Sequence, residues 1–169
     1  MSLLQPAEYH KSIFEIDLEK LQRRGYRAIM LDLDNTMVRW NHPDPTPGLM
    51  DWLRRVSAMG LTACIVSNNS GPRVSEFAAK VGIPFISKAT KPRRKGFREA
   101  MKRLGVTPAQ TVVIGDQIFT DILGGNRAGA YTILVVPIDP REFFGTRLLR
   151  QVERRVLSYL ARKGQLTRG

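Results

Sequence analysis

Residues 28–36 read Ala28-Ile29-Met30-Leu31-Asp32-Leu33-Asp34-Asn35-Thr36. An apolar run of strand length ends in two carboxylates spaced two apart, which extended backbone would project from one face. Two like charges that close are costly unless a cation or a catalytic purpose compensates. One aspartate at a strand end is adequately explained as a loop cap; a pair is not. The stretch therefore predicts both a buried strand and a polar site at its C-terminal end.

The same pattern recurs. Leu61 to Val66 is apolar and ends at Ser67-Asn68-Asn69, Thr111 to Ile114 runs into Gly115-Asp116, and shorter runs cover Ile83 to Ile86 and Thr132 to Val136. Helix signals lie between them. Thr46-Pro47 opens a segment that ends at Met59 before Gly60, and Ser70-Gly71-Pro72 opens one that ends near Gly82. Thr90-Lys91-Pro92 opens a third, with Phe97, Ala100, Met101 and Leu104 at helical spacing before Gly105. A fourth, from Ile118 or Thr120 to Arg127, is weakened by Gly124-Gly125. Leu18, Leu21 and Arg23-Arg24 indicate a short helix ahead of the first strand. Alternating strands and helices predict an α/β fold: a Rossmann-like three-layer sandwich with a five-stranded parallel sheet in the order 3-2-1-4-5. Without internal repeat or linker, residues 1–169 form one expected domain.

In such a sheet ligands bind beyond the C-terminal strand ends, and the first, second and fourth strands are central neighbours. Asp32, Ser67 and Asp116 should therefore converge, with Asp34 and Asp121 close by. The hard-oxygen set Asp32, Asp34, Asp116 and Asp121 suits Mg²⁺, which takes a few carboxylates and borrows further ligands from substrate phosphate. Lys91, beside a proline that opens a helix, can bring a cation and a helix N-terminus to the same pocket; Lys88 and Lys95 are its rivals. His10 and His42 match no metal spacing and are expected at the surface. Cys64, the one cysteine, sits in the apolar run Leu61 to Val66 and reads as a small buried hydrophobe, which excludes disulfides and a cysteine-zinc site.

In this order, Asp32-x-Asp34-x-Thr36, Ser67, Lys91 and Gly115-Asp116-x-x-x-x-Asp121 resemble the four motifs of the haloacid dehalogenase superfamily, over residues 28–136. A finer resemblance is to the YqeG-like subfamily IIIA phosphatases. It is carried by Leu33-Asp34-Asn35-Thr36, Ser67-Asn68-Asn69, Lys91-Pro92, Gly115 to Asp121 and Gly124-Gly125-Asn126-Arg127, and reaches the tail through Glu142 and Thr146-Arg147. The resemblance implies that Asp32 is the nucleophile, forming an aspartyl-phosphate, and that Asp34 is the general acid and base. Thr36 fixes the loop. Ser67, Asn68 and Lys91 bind the substrate phosphoryl group, although Asn68-Asn69 and Gly124-Gly125-Asn126 also read as turns. Asp32, Asp116 and the backbone carbonyl of Asp34 hold Mg²⁺, and Asp121 ligates it directly or through water. The pairing of the family's lysine with a following proline favours Lys91 over Lys88 and Lys95.

About 30 residues separate Thr36 from Ser67 and about 23 separate Ser67 from Lys91, room for a crossover helix each but not for a cap domain. A capless site stays open to large substrates. The net charge of +12 favours an anionic partner, and residues 146–163 form a basic amphipathic helix. Its stripe Leu149, Val152, Val156 and Leu160 should pack on the sheet while Arg147, Arg150, Arg154, Arg155, Arg162 and Lys163 face outward. YqeG-like proteins resemble the phosphatases of mitochondria and plastids that act on phosphatidylglycerophosphate, which makes an anionic lipid the leading substrate. Polynucleotide ends and soluble sugar or nucleotide phosphates come next. A nonenzymatic nucleic-acid or ribosome binder would explain the charge but not the carboxylates. A phospho-accepting receiver domain would need an acceptor aspartate on the third strand, where Ile83 to Ile86 has none. No apolar run approaches membrane-span length and the N-terminus lacks the pattern of a secretory signal; the expected location is cytoplasmic, with peripheral contact at the inner face of the membrane.

Overall fold

The structure is a computed structural model that describes residues 2–139, 146–164 and 166. Its strands are β1 (Glu8–His10), β2 (Ala28–Leu31), β3 (Thr62–Val66), β4 (Phe85–Ile86), β5 (Thr111–Gly115) and β6 (Tyr131–Val135). The helices are α1 (Leu18–Arg23), α2 (Pro47–Ala58), α3 (Gly71–Val81), α4 (Arg94–Leu104), α5 (Leu123–Ala128) and α6 (Thr146–Arg162). All strand pairs are parallel, in the order β1-β6-β5-β2-β3-β4. The expected five-strand order lies inside this sheet. The correction is a sixth strand, β1, at the edge beside β6.

The two faces of the sheet follow from strand alternation. Ile29, Leu31, Ile65, Val112 and Ile114 pack against α1, α2 and α3 through Leu18, Leu21, Leu49, Trp52, Val74 and Phe77. Met30, Cys64, Val66 and Val113 face the other way, against Phe97, Ala100 and Met101 of α4 and Ala128. Cys64 is thus a buried core residue, its thiol pushed up to about 12 by burial. The local signals act as their chemistry dictates: the Thr46 hydroxyl accepts from the Leu49 N–H, and α3 and α4 end at Gly82 and Gly105 in the left-handed region. The crossover from β2 to β3 holds only α2 and that from β3 to β4 only α3, so no cap is inserted at either place.

β1 escapes sequence patterning because its inward residues are polar. Glu8 and His10 are buried, and the His10 Nε2 lies 2.9 Å from the Glu8 carboxylate, so His10 is not the surface residue its spacing suggests. Tyr131 Oη donates to Glu8 at 2.7 Å and the Lys20 ammonium lies 2.9 Å from it. His42 is exposed, as expected. Glu142 lies outside the described residues, as do the side chains of Arg147, Leu149 and Arg150.

Burial alone would raise the Glu8 pKa, but hydrogen bonds from His10, Lys20 and Tyr131 prevail and hold it at about 2. An unfolded glutamate titrates near ~4.3, so the stabilisation is complete above that pH and is lost as the pH falls toward 2. Glu8→Gln should lower unfolding free energy by about 1–3 kcal/mol at pH 7. Urea titrations of both proteins at pH 7 and pH 2.5 should show the difference shrinking in acid. A difference independent of pH would contradict this account of the edge strand.

Candidate active site

Three strand ends build the site. Asp32 follows β2, its N–H bonded to the Ile114 carbonyl of β5; Ser67 follows β3; Asp116 follows β5. One carboxylate oxygen each from Asp32, Asp116 and Asp121 lies within 4.8 Å of the others. Asp116 and Asp121 are buried. Hard, anionic oxygen donors so clustered fit a divalent cation such as Mg²⁺.

Lys91 sits inside this group. Its Nζ donates to Asp32 Oδ1 and Asp121 Oδ1, both at 2.6 Å, and the residue is buried. Burial alone would weaken the ammonium, but the charges of Asp121 and Asp32 outweigh it and raise the pKa above the ordinary lysine value. Asp32 is raised to about 6: burial is the main cause, the Lys91 charge draws it down, and Asp121 pushes it up. Lys88 and Lys95 are exposed. Helix α4 starts at Arg94 rather than at Thr90-Lys91-Pro92, so Lys91 arrives on the preceding loop and not in the first helical turn. That loop holds Lys88 and Thr90 at φ +49° and +56°, an unusual conformation for a β-branched threonine. Asn68 clamps it: the amide oxygen accepts from the Lys91 N–H at 2.7 Å and the amide nitrogen donates to the Lys91 carbonyl at 3.1 Å.

Asp34 does not join the carboxylate cluster. Its side chain accepts from the Asn41 N–H at 2.7 Å, from Asn69 Nδ2 and from the Arg73 guanidinium, which also donates to the His42 carbonyl. Asn35, at φ +64°, makes the turn between Asp34 and Thr36, a conformation asparagine tolerates. The Thr36 hydroxyl donates to Asp116 Oδ1 at 3.0 Å, tying the first loop to the fourth motif. Ser67 Oγ accepts from the Asn69 N–H at 3.1 Å, which leaves its hydroxyl proton to donate elsewhere. Asp32, Asp34, Ser67, Asn68 and Lys91 all line one open cavity of about 410 Å³, joined by Gln117 and Thr120 of the fourth motif and by Trp40, which sequence patterning does not single out.

Asp121 reaches the cluster by a local departure from the expected helix. Ile118–Ile122 forms a π-helical turn that continues directly into α5. The Gln117 N–H donates to Asp121 Oδ2 at 3.2 Å. The glycine pair is not turn chemistry: a Cβ on Gly124 would lie 2.5 Å from the Phe97 ring and one on Gly125 2.7 Å from Thr132 Cγ2, so α5 needs both to pack closely.

Residues 3–129 match the haloacid dehalogenase-like hydrolase family. The chain belongs to the haloacid dehalogenase-like hydrolases. It is 49% identical over 161 residues to the probable phosphatase YqeG of Bacillus subtilis (strain 168), covering 95% of this chain and 94% of that protein. It is also 30% identical over 164 residues to phosphatidylglycerophosphate phosphatase 1, chloroplastic/mitochondrial, of Arabidopsis thaliana, covering 91% of this chain but only 47% of that protein. The fold is shared with the cobalt-bound deoxy-D-mannose-octulosonate 8-phosphate phosphatase of Haemophilus influenzae. That match has a TM-score of 0.54 and 16% identity over 66% of this chain and 69% of the other. The enzyme class is that of a haloacid dehalogenase-type phosphatase.

Gly115 is required by the site itself: a Cβ there would stand 2.2 Å from Asp121 Cγ. Gly115→Ala must displace the Asp121 carboxylate, and an ångström of displacement is enough to lower turnover about 100-fold. We expect that loss in p-nitrophenyl phosphate hydrolysis with an unchanged circular dichroism spectrum. Retention of full activity would show that Asp121 is not needed where it stands.

Proposed function

We propose that the enzyme is a Mg²⁺-dependent phosphomonoester phosphatase that works through an aspartyl-phosphate on Asp32, with phosphatidylglycerophosphate as substrate. The observation that carries the chemistry is Lys91 Nζ bridging Asp32 and Asp121 at the shared strand ends. Asp32 attacks phosphorus in line, and the bond from phosphorus to the leaving oxygen breaks. Asp34, oriented by Arg73, Asn69 and the Asn41 N–H, delivers a proton to that oxygen and then removes one from the water that cleaves the phosphorus–Asp32 bond. Lys91 and the Ser67 hydroxyl hold phosphoryl oxygens, with Asn68 fixing the Lys91 backbone and lining the same pocket. Asp32, Asp116, Asp121 and the Asp34 carbonyl would hold Mg²⁺, which when bound offsets negative charge on the phosphoryl oxygens and Asp32.

The lipid assignment draws on the similarity to the plant phosphatase and on the surroundings of the cavity. Trp40 at its rim is 45% exposed. A second groove, linked to the cavity where the Ile138 N–H donates to the Asn35 carbonyl, carries exposed Phe14, Val136 and Ile138 beside Lys11 and Arg39, an apolar and cationic surface suited to an anionic lipid. On α6, Arg154, Arg155 and Arg162 are exposed, as is Lys163 just beyond its end. Among the described residues no helix is long and apolar enough to cross a membrane; in this reading the enzyme meets the lipid by peripheral contact, from the cytoplasmic side.

Phosphate release should be measured from phosphatidylglycerophosphate in anionic vesicles, from phosphorylated oligonucleotides and from soluble sugar and nucleotide phosphates, each with Mg²⁺ or with chelator. The lipid should turn over fastest, only with Mg²⁺, and at least about a thousandfold more slowly in Asp32→Asn. Faster hydrolysis of oligonucleotides or soluble esters would move the substrate assignment. Inactivity on all of them would favour a binding protein built on this fold.

A further inference from the structure

Helix α6 contributes a residue to the site region that its apolar periodicity conceals. Val152 is expected on the buried stripe but is 43% exposed, whereas Glu153 is buried, with Val156 and Leu157 half-buried and Leu160 buried behind it. The inward face takes Glu153 in place of Val152 while keeping Val156 and Leu160. The cause is polar: Glu153 Oε1 accepts from the Ile118 N–H at 2.7 Å and the Phe119 N–H at 3.3 Å.

Those are leading amides of the π-turn that carries Asp121, and leading amides of a helical segment have no partner within it. The usual local remedy is missing, since Gln117 at the cap position makes no side-chain capping bond. Asp116, one residue earlier, accepts instead from Thr36. A carboxylate also suits the positive end of the turn and the α5 helix that continues it. Apolar packing reinforces the contact, because Ile118, Ile122 and Leu134 form one cluster with Val156 and Leu157 of α6. The capped amides lie between Asp116 and Asp121, two of the three clustered carboxylates.

We propose that Glu153 is a positioning residue for the cation site: its carboxylate, bonded to the Ile118 and Phe119 amides, fixes the turn that sets Asp121 against Asp116 and Asp32. This rests on the assignment of those three aspartates as Mg²⁺ ligands. Docking of α6 and cation binding are then linked in both directions, since a cation that needs the ordered turn also favours the docked helix. A tail remote in sequence thereby tunes the affinity of the site.

Calorimetric Mg²⁺ binding to the full-length protein tests this without relying on turnover. Glu153→Ala should raise the Mg²⁺ dissociation constant by about 10- to 100-fold, the range for removing a residue that orients ligands. Glu153→Gln retains an acceptor oxygen of the same reach and should restore most of the affinity. Glu153→Asp retains the charge but withdraws it by one methylene, and should bind Mg²⁺ more weakly than Glu153→Gln. That order also tests the proposal should the alanine variant fail to fold. A lower melting temperature with wild-type Mg²⁺ affinity would reduce Glu153 to a packing role and overturn the proposal, as would Glu153→Asp binding Mg²⁺ better than Glu153→Gln. Wild-type protein that binds no Mg²⁺ would instead overturn the metal assignment itself, and this proposal with it.

Discussion

The ammonium of Lys91 makes the arrangement of acids at the sheet's edge tenable. Asp32 and Asp121 come from different parts of the chain, yet both bond to one buried Nζ at 2.6 Å. Without it, the clustered carboxylates would repel one another, and breaking a buried charge pair typically costs about 3–5 kcal/mol. The surrounding structure serves to put the ammonium there. The Asn68 amide grips both polar groups of the Lys91 peptide backbone, and Thr90 accepts a left-handed conformation just before it. Strain of that kind, about 1–3 kcal/mol, persists only where neighbouring contacts over-determine the backbone.

The fold contributes proximity. In a parallel sheet, β2, β3 and β5 end on the same edge, so residues distant in sequence meet within a few ångströms. Close approach behind the site does the rest. Gly115 lets Asp121 sit where a side chain would otherwise stand, and Gly124 and Gly125 let α5 lie against Phe97 and Thr132. Short crossovers leave the mouth open, with Trp40 at its rim. One edge of the sheet therefore presents a charged, rigid floor beneath a wide entrance, which suits a phosphate on a large carrier.

Apolar runs are legible in sequence because a buried strand has to be apolar on both faces, and five of the six strands announce themselves in that way. Their order follows from connection rules, and the polar residues at their ends from where ligands bind. The meeting of Asp32 with Asp116 was readable for that reason, whereas Asp121 joins them from a π-turn that no strand-end rule places. Choosing Lys91 over Lys88 and Lys95 needed the family motif, because charge alone does not distinguish three neighbouring lysines. What stayed hidden was the set of long-range polar contacts. β1 buries Glu8 and His10, which look like surface residues; Arg73 holds Asp34 from the start of α3; Glu153 replaces Val152 on the inner face of α6. Glu8, Arg73 and Glu153 each meet a partner far away in sequence, and no local period records such a partner.

The central claim is that Asp32 carries the phosphoryl group during turnover. It is tested most directly by trapping that group on the enzyme. Asp34→Asn protein, in which removal of the group should be slow, is mixed with p-nitrophenyl phosphate, whose leaving group needs no proton. It is then quenched in acid and reduced with borohydride, which converts an aspartyl-phosphate to homoserine that peptide mass spectrometry can place. Homoserine at position 32, absent when Asp32→Asn is added to the same protein, is the predicted result. Homoserine at another aspartate, or burst release of nitrophenol with no reduced residue, would contradict the account.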